Sequence, residues 1–462
     1  MQARPTSRFP DALVLIFAMI VLAQLASYVL PAGVYETEGR KVLAGTYHTI
    51  TADPLAWHAF LTKIPKGLEE AADIIFFVFL VGGVIGVVKA TGAIHALIGA
   101  AISRLGSRPI LLTGGMVTLF AVGSSTIGMA EEYMPFIPIL VAMCIAMKMD
   151  AIVALGIVYI GAGVGYGCAA LNPFTILIAK DIAGQDPTVW FWPRWALLAV
   201  CIVIGTHHLL AYARKIRADP SKSLVADIDY SDDAFEMPED TALTPRRSAI
   251  LMAFVAMIGV FVWGVNAHGW YLVELAGLFL ALGLFASALG GLHPNDVATH
   301  FGTGAAEMTT TALLIGFART IGVVLEDAEV IHTVIHGVAT LLESADALGS
   351  ASSVVAAWGM LAVQSVCNFL IPSGSGQAYV TMPIMAPLAD LTGVGRETAI
   401  LAYQFGDGFT NMIVPTNALL MGMLALGRIP YQRWVRFIGW LLVKVYLVAL
   451  VVLAWAALVQ LN

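Results

Sequence analysis

Charge is what this chain has least of. Lys, Arg, Asp and Glu make up 12% of its 462 residues, against 59% hydrophobic residues and a mean hydropathy of +0.84. Soluble domains carry about twice that share of charge, so the composition excludes them and leaves an all-α polytopic membrane protein. No strong charge of either sign accumulates: the net charge is -7, much of it from one polar stretch between Asp227 and Asp240, and nucleic acid is excluded as a partner. Cysteine is nearly absent. Cys144, Cys168, Cys201 and Cys367 stand singly in apolar runs with no CxxC spacing, which reads as small core residues and argues against disulfides or a metal site. Walker A, HExxH and GxSxG sequences are missing, and no Ser, His and acid triplet falls at one depth. An ATP-driven pump and an intramembrane enzyme are therefore disfavoured, and no cofactor is expected. A channel remains the rival from another class, separable by counterflow in proteoliposomes.

What is present is a series of apolar runs with breaks. Arg4 and Arg8 precede a first run over residues 12–30, too long for a signal-peptide core, which predicts an uncleaved span with the N-terminus inside the cytoplasmic (inner) membrane. Residues 1–66 comprise this span and an external loop. Residues 67–213 form a first unit with a hairpin over about 109–148 and a broken helix over about 151–184. A cytoplasmic loop over 214–247 and scaffold helices over 248–291 separate it from a second unit, 292–462, with a hairpin over about 351–394, a broken helix over about 397–427 and a last helix. Lysines and arginines concentrate on the inner side of this threading.

The two units share residues as well as order. Ile85-Gly86-Val87-Val88 matches Ile321-Gly322-Val323-Val324, and Gly161, Gly163 and Asn172 fall on Gly406, Gly408 and Asn417. An odd number of crossings between the units makes them inverted repeats. Paired broken helices in inverted repeats are the sequence pattern of a secondary transporter, with its site near mid-bilayer. Any single break also fits an ordinary kink satisfied by a neighbouring helix.

Polar residues inside these breaks are the candidate binding groups. Gly123, Ser124, Ser125 and Thr126 form one hairpin tip, and Ser373, Gly374 and Ser375, followed by Gln377, form the other. Small residues there let backbone N–H and C=O groups approach a ligand; the competing reading is a packing seam. Half-helix N-termini favour an anion, while freed carbonyls suit a cation such as Na+. Asn172-Pro173 and Pro415-Thr416-Asn417 interrupt the broken helices, with Thr410 and Asn411 just before the second interruption. Asp407 lies between two glycines where the first unit has Ala162, and an ionisable residue at that depth is an ion ligand, a proton carrier or a counter-charge, with a structural salt bridge as the alternative. Glu131 and Glu132 follow the first tip, where at least one fits a helix-capping role. Arg319 offers either a bidentate clamp for a substrate carboxylate or a strut to Glu307 or another acid. His332 and His336 have i, i+4 spacing without a third ligand and read as a solvated helix face.

Three motifs together resemble a known family. Pro372-Ser373-Gly374-Ser375-Gly376-Gln377-Ala378, Met382-Pro383-Ile384-Met385-Ala386-Pro387-Leu388 and Gln404-Phe405-Gly406-Asp407-Gly408-Phe409-Thr410-Asn411 are similar to the YfcC family, within the DcuC-type anaerobic carrier group of the ion transporter superfamily. Leu30-Pro31-Ala32-Gly33 and Asp219-Pro220-Ser221-Lys222-Ser223 extend the resemblance over nearly the whole chain. It implies re-entrant hairpins, an elevator mechanism and a homodimer with a central scaffold. The substrates assigned to such relatives are four-carbon dicarboxylates, short-chain fatty acids, aminobenzoyl-glutamate and basic amino acids. Sodium-dependent dicarboxylate relatives carry Ser-Asn-Thr at their tips; the asparagine is missing here, so sodium coupling does not carry over with the resemblance. The expectation is a symporter or antiporter in the lipid bilayer, driven by Na+, H+ or solute exchange. Its cargo is a small charged organic solute: an amino acid, with a lean toward a basic one, or alternatively a four-carbon dicarboxylate.

Overall fold

The computed structural model describes residues 12–38, 41–43, 45–97, 100, 109–126, 128–172, 174–230, 242–268, 270, 272–346 and 353–459. Long apolar runs fold as helices because a chain without water around it must satisfy its N–H and C=O groups internally. Among the described residues six helices are at least 18 residues long and apolar enough to cross a membrane: Ala72–Ala90, Phe191–Ala218, Leu272–Gly290, Thr309–Asp327, Ser353–Leu370 and Tyr431–Leu458.

The element order repeats. Ile64–Glu70 leads through one residue, Ala71, into Ala72–Ala90; the hairpin helices Pro109–Thr126 and Phe136–Ala146 follow, then the half-helices Ala151–Gly167 and Ile176–Ala183, then the long Phe191–Ala218. After Pro245–His268 and Leu272–Gly290 the series recurs as Pro294–Glu307, Met308, Thr309–Asp327, Ser353–Leu370, Gly374–Leu391, Arg396–Thr410, Ala418–Leu426 and Tyr431–Leu458. Ile64–Glu70 and Ala72–Ala90 together run antiparallel to Thr309–Asp327: Gly67 of the former helix abuts Gly316 and Thr320, and Gly82 of the latter abuts Met308.

Two backbone crossings bring these pieces together. A Cβ on Gly408 would lie 2.1 Å from the Gly167 nitrogen, so the two half-helix pairs cross where neither has a side chain. Similarly, a Cβ on Gly304 would lie 2.3 Å from the Gly82 carbonyl, which seats Pro294–Glu307 against Ala72–Ala90. Small residues at such crossings give helices van der Waals contact in lipid, where burial of apolar surface supplies no drive. All four cysteines are buried, as small core residues.

Two differences from the sequence reading stand out. Pro294–Glu307 was not foreseen as a helix; its apolar stripe is interrupted by glycines and threonines, which blurs a 3.6-residue period. His332 and His336 are not a solvated face. The short antiparallel pair Gly33–Val34 with His48–Thr49 lays a cap over Ile331–Asp346, while Lys41–Val42, paired with Thr37–Glu38, packs on Gly374–Leu391. Within the cap Tyr35 N–H donates to His332 Nδ1 at 3.3 Å, and the Tyr47 ring stacks on His336 at 3.9 Å.

One ionic cluster ties three elements of this core. Glu397, at the start of Arg396–Thr410, accepts from Arg194 Nη2 at 2.7 Å and lies 3.6 Å from Lys180 Nζ, with all three side chains about fully buried. Arg194 also reaches the Ala169 carbonyl at 3.3 Å, and Lys180 donates to the carbonyls of Asp186, Pro187 and Val189. Removing one charge from such a cluster strands the others, at a cost of about 3 kcal/mol or more, whereas replacing a whole cluster by apolar groups of similar size is often near neutral. Glu397→Gln should therefore lower the apparent melting temperature of the purified protein more than the triple change Glu397→Leu, Arg194→Met, Lys180→Met. The reverse order in a thermal-unfolding series would show the cluster to be incidental.

Candidate substrate-binding site

The breaks are held open by side chains of other elements. In the first broken helix, Asn172 donates to the Ser124 carbonyl at 3.0 Å and accepts from Phe174 N–H at 2.8 Å. The Ser125 carbonyl accepts from Ala170 and Leu171 N–H, and the Ser125 hydroxyl accepts from Ala170 N–H at 3.1 Å. One hairpin tip thus satisfies the backbone that the other element frees. Ser124 donates to the Met129 carbonyl at 2.7 Å, Thr126 donates to Val122 O, and a Cβ on Gly123 would meet the Tyr133 hydroxyl at 2.5 Å, so this tip is turned into protein.

In the second broken helix a polar chain runs from Asp407 to a helix start. Asp407 Oδ1 accepts from Asn411 Nδ2 at 3.0 Å, Asn411 Oδ1 accepts from Asn417 Nδ2 at 2.7 Å, and Asn417 Oδ1 accepts from Leu419 and Leu420 N–H. The last two bonds are an N-cap on Ala418–Leu426. Asp407 Oδ2 is fully buried and has no hydrogen-bond partner among the described residues; a Cβ on Gly374 would lie 3.2 Å from it. It therefore faces the turn of the second hairpin, where Tyr403 donates to the Gly374 carbonyl at 2.7 Å. Asn368 Oδ1 and Gln404 Oε1 are likewise buried without a donor, while their amide groups bond to Asp407 O and Thr175 Oγ1.

These elements enclose a cavity of about 430 Å³. Of the residues expected at the site, Glu131, Ser373, Gly374, Ser375, Asn411, Thr416 and Asn417 line it, and Arg319 lines the facing wall. Gly123, Ser124, Ser125, Thr126, Glu132, Asn172, Gln377, Asp407, Thr410 and Pro415 stand behind that surface, and Pro173 lies outside the described residues. Glu132 accepts from Ala130 N–H at 2.7 Å, Gln377 donates to Gln364, and Thr410 bonds the Tyr446 hydroxyl. Asp407 nonetheless reaches the site, through Gly374 on one side and Asn411 on the other.

The facing wall carries charge that is already partnered. Arg319 bonds Glu70 at 2.8 Å and Glu326 at 3.3 Å, so its guanidinium acts as the strut between Thr309–Asp327 and Ile64–Glu70, with Glu70 and Glu326 in place of Glu307. Glu70, Tyr159, Tyr166, Phe174 and Thr175 also line the cavity and were not foreseen. Thr175 and Phe174 sit just past the Asn172 interruption, a placement that could have marked them; nothing in the sequence points Glu70 at Arg319. Among the described residues no group of three His, Cys, Asp or Glu side chains could hold a metal ion. What the arrangement offers is acceptor oxygens and aromatic rings around one polar chamber, a setting for a cation.

The profile of the DcuC family, described as C4-dicarboxylate anaerobic carriers, matches residues 9–458. The Escherichia coli protein YfcC, provisionally named a basic amino acid antiporter, is 32% identical over 99% of this chain and 98% of its own length. A Haemophilus influenzae protein is 29% identical over 94% of both chains. Among solved structures, MtrF of Neisseria gonorrhoeae aligns with 97% of this chain and 95% of its own at 19% identity, and the YdaH transporter of Alcanivorax borkumensis with 96% and 98% at 16% identity. Both have a TM-score of 0.41. The match along nearly its whole length makes this chain a member of the DcuC family of membrane transporters.

Proposed function

We propose that the protein is a secondary active transporter of a basic amino acid, working by an elevator motion of two inverted repeats across the inner membrane. The observation that carries this reading is the cavity where both broken helices and the second hairpin tip meet, with the buried, unpartnered Asp407 Oδ2 directly behind Gly374. Arg319 is paired with Glu70 and Glu326, while Glu131 also lines the chamber and Asp407 stands behind it, so the acids there outnumber the one arginine. A solute bringing its own cation balances that excess; the name of the Escherichia coli relative supports the same choice. The antiparallel course of Ala72–Ala90 and Thr309–Asp327 supports the inverted repeat.

In the proposed cycle the hairpins and broken helices carry the solute past a scaffold built from the Ala72–Ala90, Thr309–Asp327 and Leu272–Gly290 helices, in a homodimer. Asp407 exchanges a proton or Na+ for the solute's cation, which couples the two fluxes. The four-carbon dicarboxylate alternative draws on the family description and on the N-termini of Gly374–Leu391 and Ala418–Leu426, which open on the cavity and favour anions.

Asp407→Asn keeps the shape and the Asn411 contact but removes the charge. It should reduce arginine counterflow in proteoliposomes at least about tenfold, the loss expected for one charge-assisted contact, while the melting temperature stays close to that of the parent. Unchanged counterflow removes Asp407 from the site. A thermal-shift screen separates the two substrate classes, because a ligand at 100 times its Kd adds about 2.7 kcal/mol to the folded state. Lysine or arginine should raise the melting temperature and succinate should not; the opposite pattern establishes the dicarboxylate reading.

A further inference from the structure

A second cavity, of about 480 Å³, shares no lining residue with the first. It lies along the same seam. The first cavity meets the hairpin at Ala130 and Glu131 and the half-helix Ala418–Leu426 at its start; the second meets them at Met134, Pro135 and Leu426. The opposite wall is again Ala72–Ala90, now from Phe77 to Ala90, with Pro294–Glu307 beside it.

The repeated elements relate the two cavities residue to residue. Glu70 and Glu307 hold the same place, each the last residue of its helix before a single-residue break and a 19-residue helix. Glu70 lines the first cavity and Glu307 the second. Their surroundings differ in one respect. Glu70 is bound by Arg319, whereas the matching stretch of Ala72–Ala90 is Gly82-Gly83, closed against Met308 and Phe301, where no side chain fits. Glu307 is exposed and makes no ion pair among the described residues. At the far end of the cavity stand His300 and Lys89, with His95 nearby; His300 is roughly 10 Å from Glu307 along the helix axis. An acid at one end and basic groups at the other match an extended amino acid that carries a side-chain cation and an α-carboxylate.

We propose that this second cavity is a further station for the transported solute, in which Glu307 receives the side-chain cation of a basic amino acid and the Lys89 and His300 end receives its carboxylate. The station rests on the transporter reading above and supplies what a moving carrier requires, a partner for the solute at the other end of its path. The unneutralised carboxylate of Glu307 makes it a cation-selecting site, the part that Asp407 plays in the first cavity, where Arg319 pairs with Glu70.

The test uses the full-length protein with Thr303→Cys, an exposed lining residue; the four native cysteines are buried and contribute little background. L-arginine at ten times its Kd should slow maleimide labelling of that cysteine about tenfold by mass action, and succinate should not. Glu307→Gln should abolish the protection, and Glu307→Asp should keep part of it. Arginine that fails to protect the parent, or protects the Glu307→Gln protein equally, overturns the station; a lipid tail filling the cavity gives the former result. Arginine counterflow, measured on the same preparations, reports separately on the transporter reading. Protection without counterflow would sink that reading and leave the site, and counterflow without protection would do the converse.

Discussion

A helix that stops inside an apolar body frees backbone groups that no water reaches, and each one left alone costs several kcal/mol. This constraint governs the architecture. Among the described residues, donors and acceptors from different elements close these interruptions: Asn172 on the Ser124 carbonyl, the Ser125 carbonyl on Ala170 and Leu171, Thr416 on Phe369, Asn368 on Asp407. These bonds join the hairpins and half-helices to one another in the folded structure. The polar chamber is the space left where those mutual repairs meet.

The same logic explains where charge is tolerated. Glu397 at a half-helix start is matched by Arg194 and Lys180, and Asp150 caps Ala151–Gly167 while accepting from Tyr212 and Ser223 at 2.6 Å each. These groups fix structure. Asp407 differs because one of its oxygens is satisfied and the other is not. A buried acceptor without a donor calls for an occupant, and this one lies beside the glycine turn that lines the cavity.

Much of this was legible in the sequence, for a physical reason. Glycine, proline and asparagine interrupt helices through their own backbone chemistry, so the breaks near Asn172 and Asn417 and the turn at Ser373 announce themselves locally. Pairings across the chain do not. Arg194 and Glu397 are 203 positions apart and Glu70 and Arg319 are 249, and a residue type alone does not say which partner it finds. The serines of the first tip show the limit from the other side: a small polar run looks the same whether it faces a ligand or, as Ser124 and Ser125 do, a neighbouring helix break. The helix over Pro294–Glu307 escaped because its stripe of small residues serves a backbone crossing and carries little hydrophobic signal.

The crossing of Gly167 and Gly408 has a mechanical consequence. With main chain pressed on main chain, no side chain can rotate aside to let one interrupted helix slip past the other. The two interrupted helices therefore pack as one unit, and in the proposed cycle whatever sits beside Asp407 and whatever sits beside Asn172 would travel together. Stoichiometry between them would then be a property of the joint and not of either pocket.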